Sequence, residues 1–374
     1  QPHDGGKPLL SEQGQPLYDR SSVALVDIVR PTEVIETGIR AIDFFVPVLR
    51  GGRTGLVGGA GVGKTVILSQ LVRRIALEQD GREKSAVVFS AVGERSREAV
   101  ELLDDLAGAN ILKHACVVLG QMGENPAVRL RTAFAGAAIA AHFRDQLRHD
   151  VLFYMDNMYR FTQAGHELAT VMNTIPSEDG YQATLASEMA NLNERLVSSP
   201  EAGVTSMFTV FVPADDFTDS GTRAAFSYLD SAIILSRKIF QAGRYPAVDV
   251  LASSSSALQP YIIGEDHYQA YIGAKRVLEE AQELERIVSL IGQEELSEAN
   301  RRVYQRAKQI EAYMTQDLYL SEAETGHPSV FEPMQETIST VKDILGGRYD
   351  SVPAEQFKYV TEPPQVAASV SSGK

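Results

Sequence analysis

Thr54-Gly55-Leu56-Val57-Gly58-Gly59-Ala60-Gly61-Val62-Gly63-Lys64-Thr65-Val66 is the stretch that decides how the rest of the chain is read. A short apolar run ends in a glycine-rich turn, after which Ile67, Leu68, Leu71, Val72 and Ile75 recur at helical spacing through Thr65–Gln79. Gly58–Thr65 fits G-x-x-x-x-G-K-[ST] between a strand and a helix, the context that a phosphate-binding turn requires. Glycines let backbone N–H groups converge on phosphate oxygens, and the helix N-terminus adds a favourable dipole. On this reading Gly58, Gly59, Ala60, Gly61, Val62, Gly63, Lys64, Thr65 and Val66 surround the phosphates. Lys64 reaches the β- and γ-phosphates, and the Thr65 hydroxyl ligates Mg²⁺.

Outward from that turn, short β-branched runs alternate with helical stretches from Gly51 to about Ser253, which predicts a mostly parallel sheet covered by helices. The strand candidates are Thr54–Val57, Ser85–Ala91, His114–Leu119, Asp150–Met155, Met207–Val212 and Ser231–Leu235. Beyond Ala257 the strand signals stop, and His267–Leu290 and Glu298–Met314 carry amphipathic helical patterns. The division that follows is a flexible remnant at 1–20, a nucleotide-binding α/β domain at 21–256, a helical domain at 257–360 and a mobile tail at 361–374.

A phosphate turn needs an acid at the end of another apolar strand to hold the metal, and Asp156 closes Val151-Leu152-Phe153-Tyr154-Met155. The bland alternative is a strand-end cap beside Asn157. Glu94 follows the run Ser85–Val92 through Gly93, at the carboxyl edge where open α/β sheets bind ligands, and could polarise a water that attacks phosphate. Its competing reading is a helix N-terminal acid in Glu94–Leu106. Arg95 and Arg160 suit charge developing on a transferring phosphoryl group, or else neutralise the carboxylates next to them. Glu98, one helical turn past Glu94, is either the holder of a metal-bound water or a surface acid. His166 lacks ligand spacing, and Tyr159 and Phe161 read as packing residues.

Composition excludes more than it selects. The chain has 374 residues, 44% apolar and 22% charged, enough to bury a sizeable core. Its 49 acids against 35 basic residues leave a formal charge of -14 with no basic cluster, which disfavours nucleic acid. One cysteine, Cys116, cannot form an internal disulfide and fits a reducing compartment. The alanine- and glycine-rich run Ala133–Ala141 is far short of the roughly 20 residues that cross a bilayer, so it reads as a tightly packed helix. No signal peptide is visible, and Gln1 in first place reads as a processed N-terminus.

Gly58–Thr65, Gly93-Glu94-Arg95-Ser96-Arg97-Glu98, Asp156–Gly165, Val212-Pro213-Ala214-Asp215-Asp216 and Tyr245-Pro246-Ala247-Val248-Asp249 stand in one order. Together they resemble the β subunit of F-type ATP synthase, and the resemblance runs over nearly the whole chain. It implies a RecA-like P-loop domain, a mostly parallel sheet flanked by helices, followed by a C-terminal helical domain. It also implies Mg-ATP hydrolysis or synthesis, with ATP, ADP and phosphate as substrates and products. Carried over residue by residue, Lys64 and Thr65 hold phosphate and Mg²⁺, Glu94 activates water, Asp156 supports the metal, and Arg95 and Arg160 contact the γ-phosphate. Tyr245 stacks on adenine, with Tyr313 supplying a second ring nearby. Implied partners are an α-like non-catalytic subunit that contributes an arginine finger, in an alternating three-plus-three hexamer, and a γ-like shaft touching Glu294–Asn300. The location implied is the cytoplasmic side of a membrane, reached only through a membrane sector.

Within the resemblance, the non-catalytic subunit carries glutamine where this chain has Glu94. Departures are Phe211 for a tyrosine, Ser256 for an arginine, Leu318 for a phenylalanine of the adenine pocket, and Ala299-Asn300 for two acids of the shaft-facing loop. The family's N-terminal β-barrel has no counterpart before Gln1. Two alternatives stay open: a ring subunit that binds nucleotide with weak turnover, and a homohexameric secretion-type ATPase.

Overall fold

The computed structural model describes Gly14, Leu17 and residues 23–59, 61–77, 85–108, 112, 115–177, 179–212, 218–318 and 331–365. Ala60, His114, Pro213 to Asp216, most of the expected remnant 1–20 and residues 366–374 of the expected tail lie outside the described residues.

Two short strands, β1 (Val34–Ile35) and β2 (Val48–Leu49), pair antiparallel on either side of helix α1 (Arg40–Phe45) in the chain. Strand β3 (Arg53–Val57) then feeds α2 (Lys64–Leu77). The alternation continues through β4 (Ser85–Glu94), α3 (Ser96–Gly108), β5 (Ala115–Gln121), α4 (Pro126–Asp145), β6 (Asp150–Asp156), α5 (Met158–Val171) and α6 (Leu185–Asn193). It closes with β7 (Val204–Val210), α7 (Ser220–Phe226), β8 (Ser231–Ile234), α8 (Arg237–Gln241) and β9 (Ser254–Ser255). After β9 the described chain is helical: α9 (Pro260–Ile263), α10 (Glu265–Ile291), α11 (Glu298–Tyr313) and α12 (Met334–Leu345).

The seven-stranded sheet has the order β5-β4-β6-β7-β3-β8-β9, parallel except for β9. β3 lies between β7 and β8, so the chain leaves it for strands on one side and returns to the other. The carboxyl end of such a strand opens onto a crevice. Helices on both faces explain why β4, β6 and β7 read as almost unbroken apolar runs instead of alternating ones.

Period-two alternation still sorts the two faces. Leu56, Val87, Phe89, Leu152, Tyr154 and Met207 pack into one core with Ile67, Leu68 and Leu71 of α2. Val57, Val88, Phe153, Met155 and Phe208 pack into the other, against α4, α5 and α6. Ala133, Ala137 and Ala140 are fully buried on α4, the packed helix expected for the alanine-rich run. Among the described residues no helix is long and apolar enough to cross a membrane.

The strand candidates are found within a few residues, with two instructive differences. β4 runs past Ala91 to include Glu94, and α3 starts only at Ser96, so Glu94 ends a strand instead of opening a helix. Sequence reasoning also passed over α12, whose packing face is held by tertiary contacts.

The first core does not stop at the end of the sheet. Phe44 and Phe45 of α1 share it with Ala270, Ala274 and Leu278 of α10, Tyr313 of α11 and Val341 of α12. Arg40 sits at this junction, fully buried, with Nη2 2.7 Å from Glu332 Oε1. Its Nη1 donates to the Tyr313 carbonyl at 3.1 Å, its Nη2 donates to the Val360 carbonyl at 2.6 Å, and the guanidinium lies 4.3 Å from the Tyr313 ring centroid. Burial already pushes the Glu332 carboxyl above its ordinary range, with Arg40 opposing that shift. Removing the cation therefore strands a buried carboxylate: Arg40→Leu is expected to cost about 3–5 kcal/mol, read as a lowered midpoint in urea, whereas a change under about 1 kcal/mol would show that the ion pair does not hold the junction.

Candidate active site

The turn after β3 is built as the sequence requires. Gly61 and Gly63 have φ of 73° and 87°, a left-handed backbone that favours glycine and turns the loop inward before α2 begins at Lys64. Lys64 Nζ donates to the Gly58 carbonyl at 2.9 Å and lies 5.7 Å from the Phe211 ring centroid. Burial lowers the Lys64 pKa, against the opposing charges of Asp156 and Glu94. The side chain of Thr65 lies outside what the structure describes.

Asp156 ends β6 two strands away and accepts a hydrogen bond from the Thr209 hydroxyl of β7. Burial raises its pKa, opposed by that hydrogen bond and by Lys64. By alternation Asp156 and Thr209 belong to the face of Tyr154 and Met207, the face that α2 covers. Asn157, next in the chain, accepts from the Tyr159 N–H at 2.9 Å and caps α5, which aims the first turn of that helix at the site.

Glu94 reaches the same face through a β-bulge. Along β4, Val92 pairs with Gly120 but Glu94 pairs with Gln121, so Gly93 is an inserted residue. It has φ of 70°. One extra residue shifts the alternation by one, moving Glu94 off the face of Val88 and Val92 and onto that of Phe89 and Ala91. The Met122 N–H donates to the Glu94 carbonyl at 2.9 Å and pins the corner.

Arg160, in the first turn of α5, donates to the Gly93 carbonyl and lies 3.5 Å from Glu94 Oε1 and 3.6 Å from Glu98 Oε2. Glu94 is 8% exposed. Burial drives its pKa well above the ordinary glutamate range, reinforced by a hydrogen bond shared with Glu98 and by the Asp156 charge, with Arg160 opposing. Glu98 moves the other way, held down chiefly by that same hydrogen bond. Of the two, then, Glu94 is the partner that keeps the proton and Glu98 the ionised one.

The structure thus brings Lys64, Glu94, Glu98, Asp156 and Arg160 together and leaves Arg95 aside. Arg95 is 68% exposed on its side chain and its described ion pair is with Glu98, at 3.8 Å. Neither Tyr245 nor Tyr313 is part of that cluster. Tyr245 is 41% exposed, edge-on to Phe240 at 5.1 Å, and its carbonyl accepts from the Gln316 N–H at 2.7 Å. The Tyr313 ring is buried between Arg40 and Phe357, so it is part of the core here and presents no open face to a base. Glu294 pairs with Arg301 at 3.7 Å and Ser297 caps α11, so Glu294–Asn300 is an acidic turn leading from α10 into α11. Among the described residues no three His, Cys, Asp or Glu gather as a metal cage.

A cavity of about 510 Å³ lies elsewhere, between α8, α10 and α11, and holds none of these site residues. Thr209 and the bulge at Gly93 were missed from sequence. Thr209 had only its polarity within an apolar strand to mark it, and the bulge had only a glycine.

Residues 38–255 match the ATP synthase alpha/beta family, nucleotide-binding domain, and residues 258–359 match the C-terminal domain of V and A type ATP synthase. Among solved structures the chain is similar to a unique ATP synthase subunit, NeqB, from Nanoarcheaum equitans. The identity is 20%, the TM-score is 0.78, and the match covers 92% of this chain and 82% of that one. At that identity the likeness is one of fold. The first match spans Gly58, Glu94, Asp156, Arg160 and Tyr245, while the second is to V and A type where the motif wording resembled F type.

The protonated Glu94 has a thermodynamic signature. Native protein keeps a proton that the unfolded chain releases, so this contribution is complete below the ordinary glutamate pKa of 4.5 and is lost as pH rises through the raised value. In denaturant titrations from about pH 5 to about pH 8, Glu94→Gln should remove a downward slope of at most about 1.4 kcal/mol per pH unit; parallel curves for the two proteins would show Glu94 ionised at rest.

Proposed function

The chain belongs to the ATP synthase alpha/beta family, and from that premise we propose that it is a catalytic subunit of a rotary ATPase. It would hydrolyse or synthesise ATP by in-line phosphoryl transfer at the cluster around Lys64. One observation carries the proposal: a buried carboxyl, Glu94, is turned by a bulge onto the face that also holds Asp156 and Lys64. A subunit that only bound nucleotide would need the turn and the lysine, and nothing in binding demands a buried carboxyl at that corner.

Lys64 and the N–H groups of the Gly61–Gly63 turn receive the phosphates. Asp156, supported by Thr209, together with the Thr65 hydroxyl would hold Mg²⁺, with Glu98 reaching it through water. This donor set fits, because Mg²⁺ is bound by one or two carboxylates plus substrate phosphates and water and needs no protein cage. When bound, the ion neutralises charge on the phosphates. Glu94 orients a water and accepts its proton, which requires Glu94 to give up the proton it shares with Glu98. Arg160 is placed to leave the two glutamates and follow charge onto the transferred group. Arg95 would act only after a movement of its side chain.

The neighbouring subunit that completes the site, the shaft against Glu294–Asn300, the three-plus-three ring and the location on a membrane's cytoplasmic side remain parts of the proposal. The branch does too. The wording of Gly93–Glu98 and Asp156–Gly165 supports an F-type β role. A V- or A-type catalytic role is favoured by the match of residues 258–359. A subunit inventory of the complex purified from its source separates them.

Glu94→Gln tests the catalytic assignment. In the assembled complex, nucleotide affinity should stay within about threefold, while single-turnover hydrolysis slows by roughly 10²–10⁴-fold. Unchanged turnover would remove Glu94 from the mechanism and favour a binding role for the subunit.

A further inference from the structure

We propose that Arg129 is a positioning residue that fixes Glu94 and Arg160 relative to each other; this rests on the catalytic reading of that pair. Among the described residues, the polar contacts of Arg129 go to Glu124 and Glu167. It joins the three elements whose ends make the corner. Its Nε donates to the Glu124 carbonyl at 3.1 Å, in the turn between β5 and α4. Its Nη1 donates to Glu167 Oε1 at 3.3 Å and its Nη2 pairs with Glu167 Oε2, a two-pronged contact to α5.

Its stem lies against the bulge. A Cβ placed on Gly93 would stand 3.7 Å from the Arg129 Cδ and 3.5 Å from the Arg160 Cβ and Cδ, so the inserted glycine is flanked by the two arginine stems.

Each contact bears on Glu94 or Arg160. The turn held through Glu124 also contains Met122, whose N–H pins the Glu94 carbonyl. Glu167 lies seven residues beyond Arg160 on α5, two helical turns along the same face. A guanidinium suits this task because its planar fork fixes both distance and angle to a carboxylate, while its remaining N–H reaches a third element. Its side chain is 11% exposed and that of Glu167 is 46% exposed, so the partner can be altered without opening the core.

Loss of this tie lets β4, the β5–α4 turn and α5 drift, and displacements of about 1 Å at such a site are enough to cost on the order of 100-fold in rate. The test uses the assembled complex with Arg129→Gln, Arg129→Lys and Glu167→Gln, measuring nucleotide affinity, single-turnover hydrolysis and the urea midpoint of each. Positioning predicts turnover down roughly 10- to 100-fold in Arg129→Gln, with affinity within about threefold, partial recovery in Arg129→Lys, and a smaller fall in Glu167→Gln. It also predicts an altered pH profile of turnover, which loss of stability alone would not produce.

Unchanged turnover in both Arg129→Gln and Glu167→Gln overturns the proposal, as does a joint fall of affinity, turnover and midpoint in Glu167→Gln. Glu94→Gln run alongside keeps the two ideas separable. If it slows turnover and the Arg129 variants do not, only the positioning role fails; if Glu94→Gln is itself silent, the catalytic reading fails first.

Discussion

Three carboxylates and two cations crowd the carboxyl edge of this sheet, and the need to balance that charge away from water governs the site. Glu94, Glu98 and Asp156 face Lys64 and Arg160 in a partly desolvated pocket, one negative charge in excess if all five are ionised. Low dielectric makes that excess costly. A proton kept between Glu94 and Glu98 resolves it, and Arg160 spans the two. A divalent cation with phosphates brings both signs at once and supplies a different resolution. The same excess of acid that costs stability is what, under the proposed function, a metal-bound polyphosphate would relieve.

The sheet and the phosphate turn were legible because their signals are local. An apolar run, a glycine-rich turn and helical spacing from Ile67 to Ile75 leave few alternatives, and six strands fall where the β-branched runs lie. Asp156 was legible for the same reason, as a lone acid closing an apolar strand. Glu94 was identified for its place beyond a strand, but the reason it reaches the pocket was not visible. Pairing of Glu94 with Gln121 shows an inserted residue only once β5 is aligned beside β4. From sequence, Gly93 is one glycine among 29.

What stayed hidden depends on which distant elements meet. No motif or periodicity marks Arg40, and it is buried because α11 and the segment near Val360 close over it. Tyr313 reads as a pocket aromatic and is consumed by the same junction. Arg95 and Arg160 look equivalent beside their acids, but one follows a strand out to solvent and the other opens a helix whose cap turns it inward. Sequence gives each residue its chemistry; which charges share a pocket is set by pairing across the sheet.

The core that passes without a break from the sheet into the helical region has a mechanical meaning. Near its start, α10 is seated on α1, with the His267 ring 2.9 Å from the Phe44 carbonyl oxygen and Tyr271 edge-on to Phe45. At its far end Leu290 is 78% exposed. The whole helix is 27 residues, a rod about 40 Å long. Past its middle the helix is still held, with Leu284 and Val288 against the same core and Glu285 accepting from the Tyr304 hydroxyl of α11 at 2.9 Å, so α10 is fastened to α11 as well as to α1. Because that packing is side chain against side chain, with Arg40 as a pin beside it, the helical region and the sheet that carries the glycine turn share one core and should open as one cooperative unit.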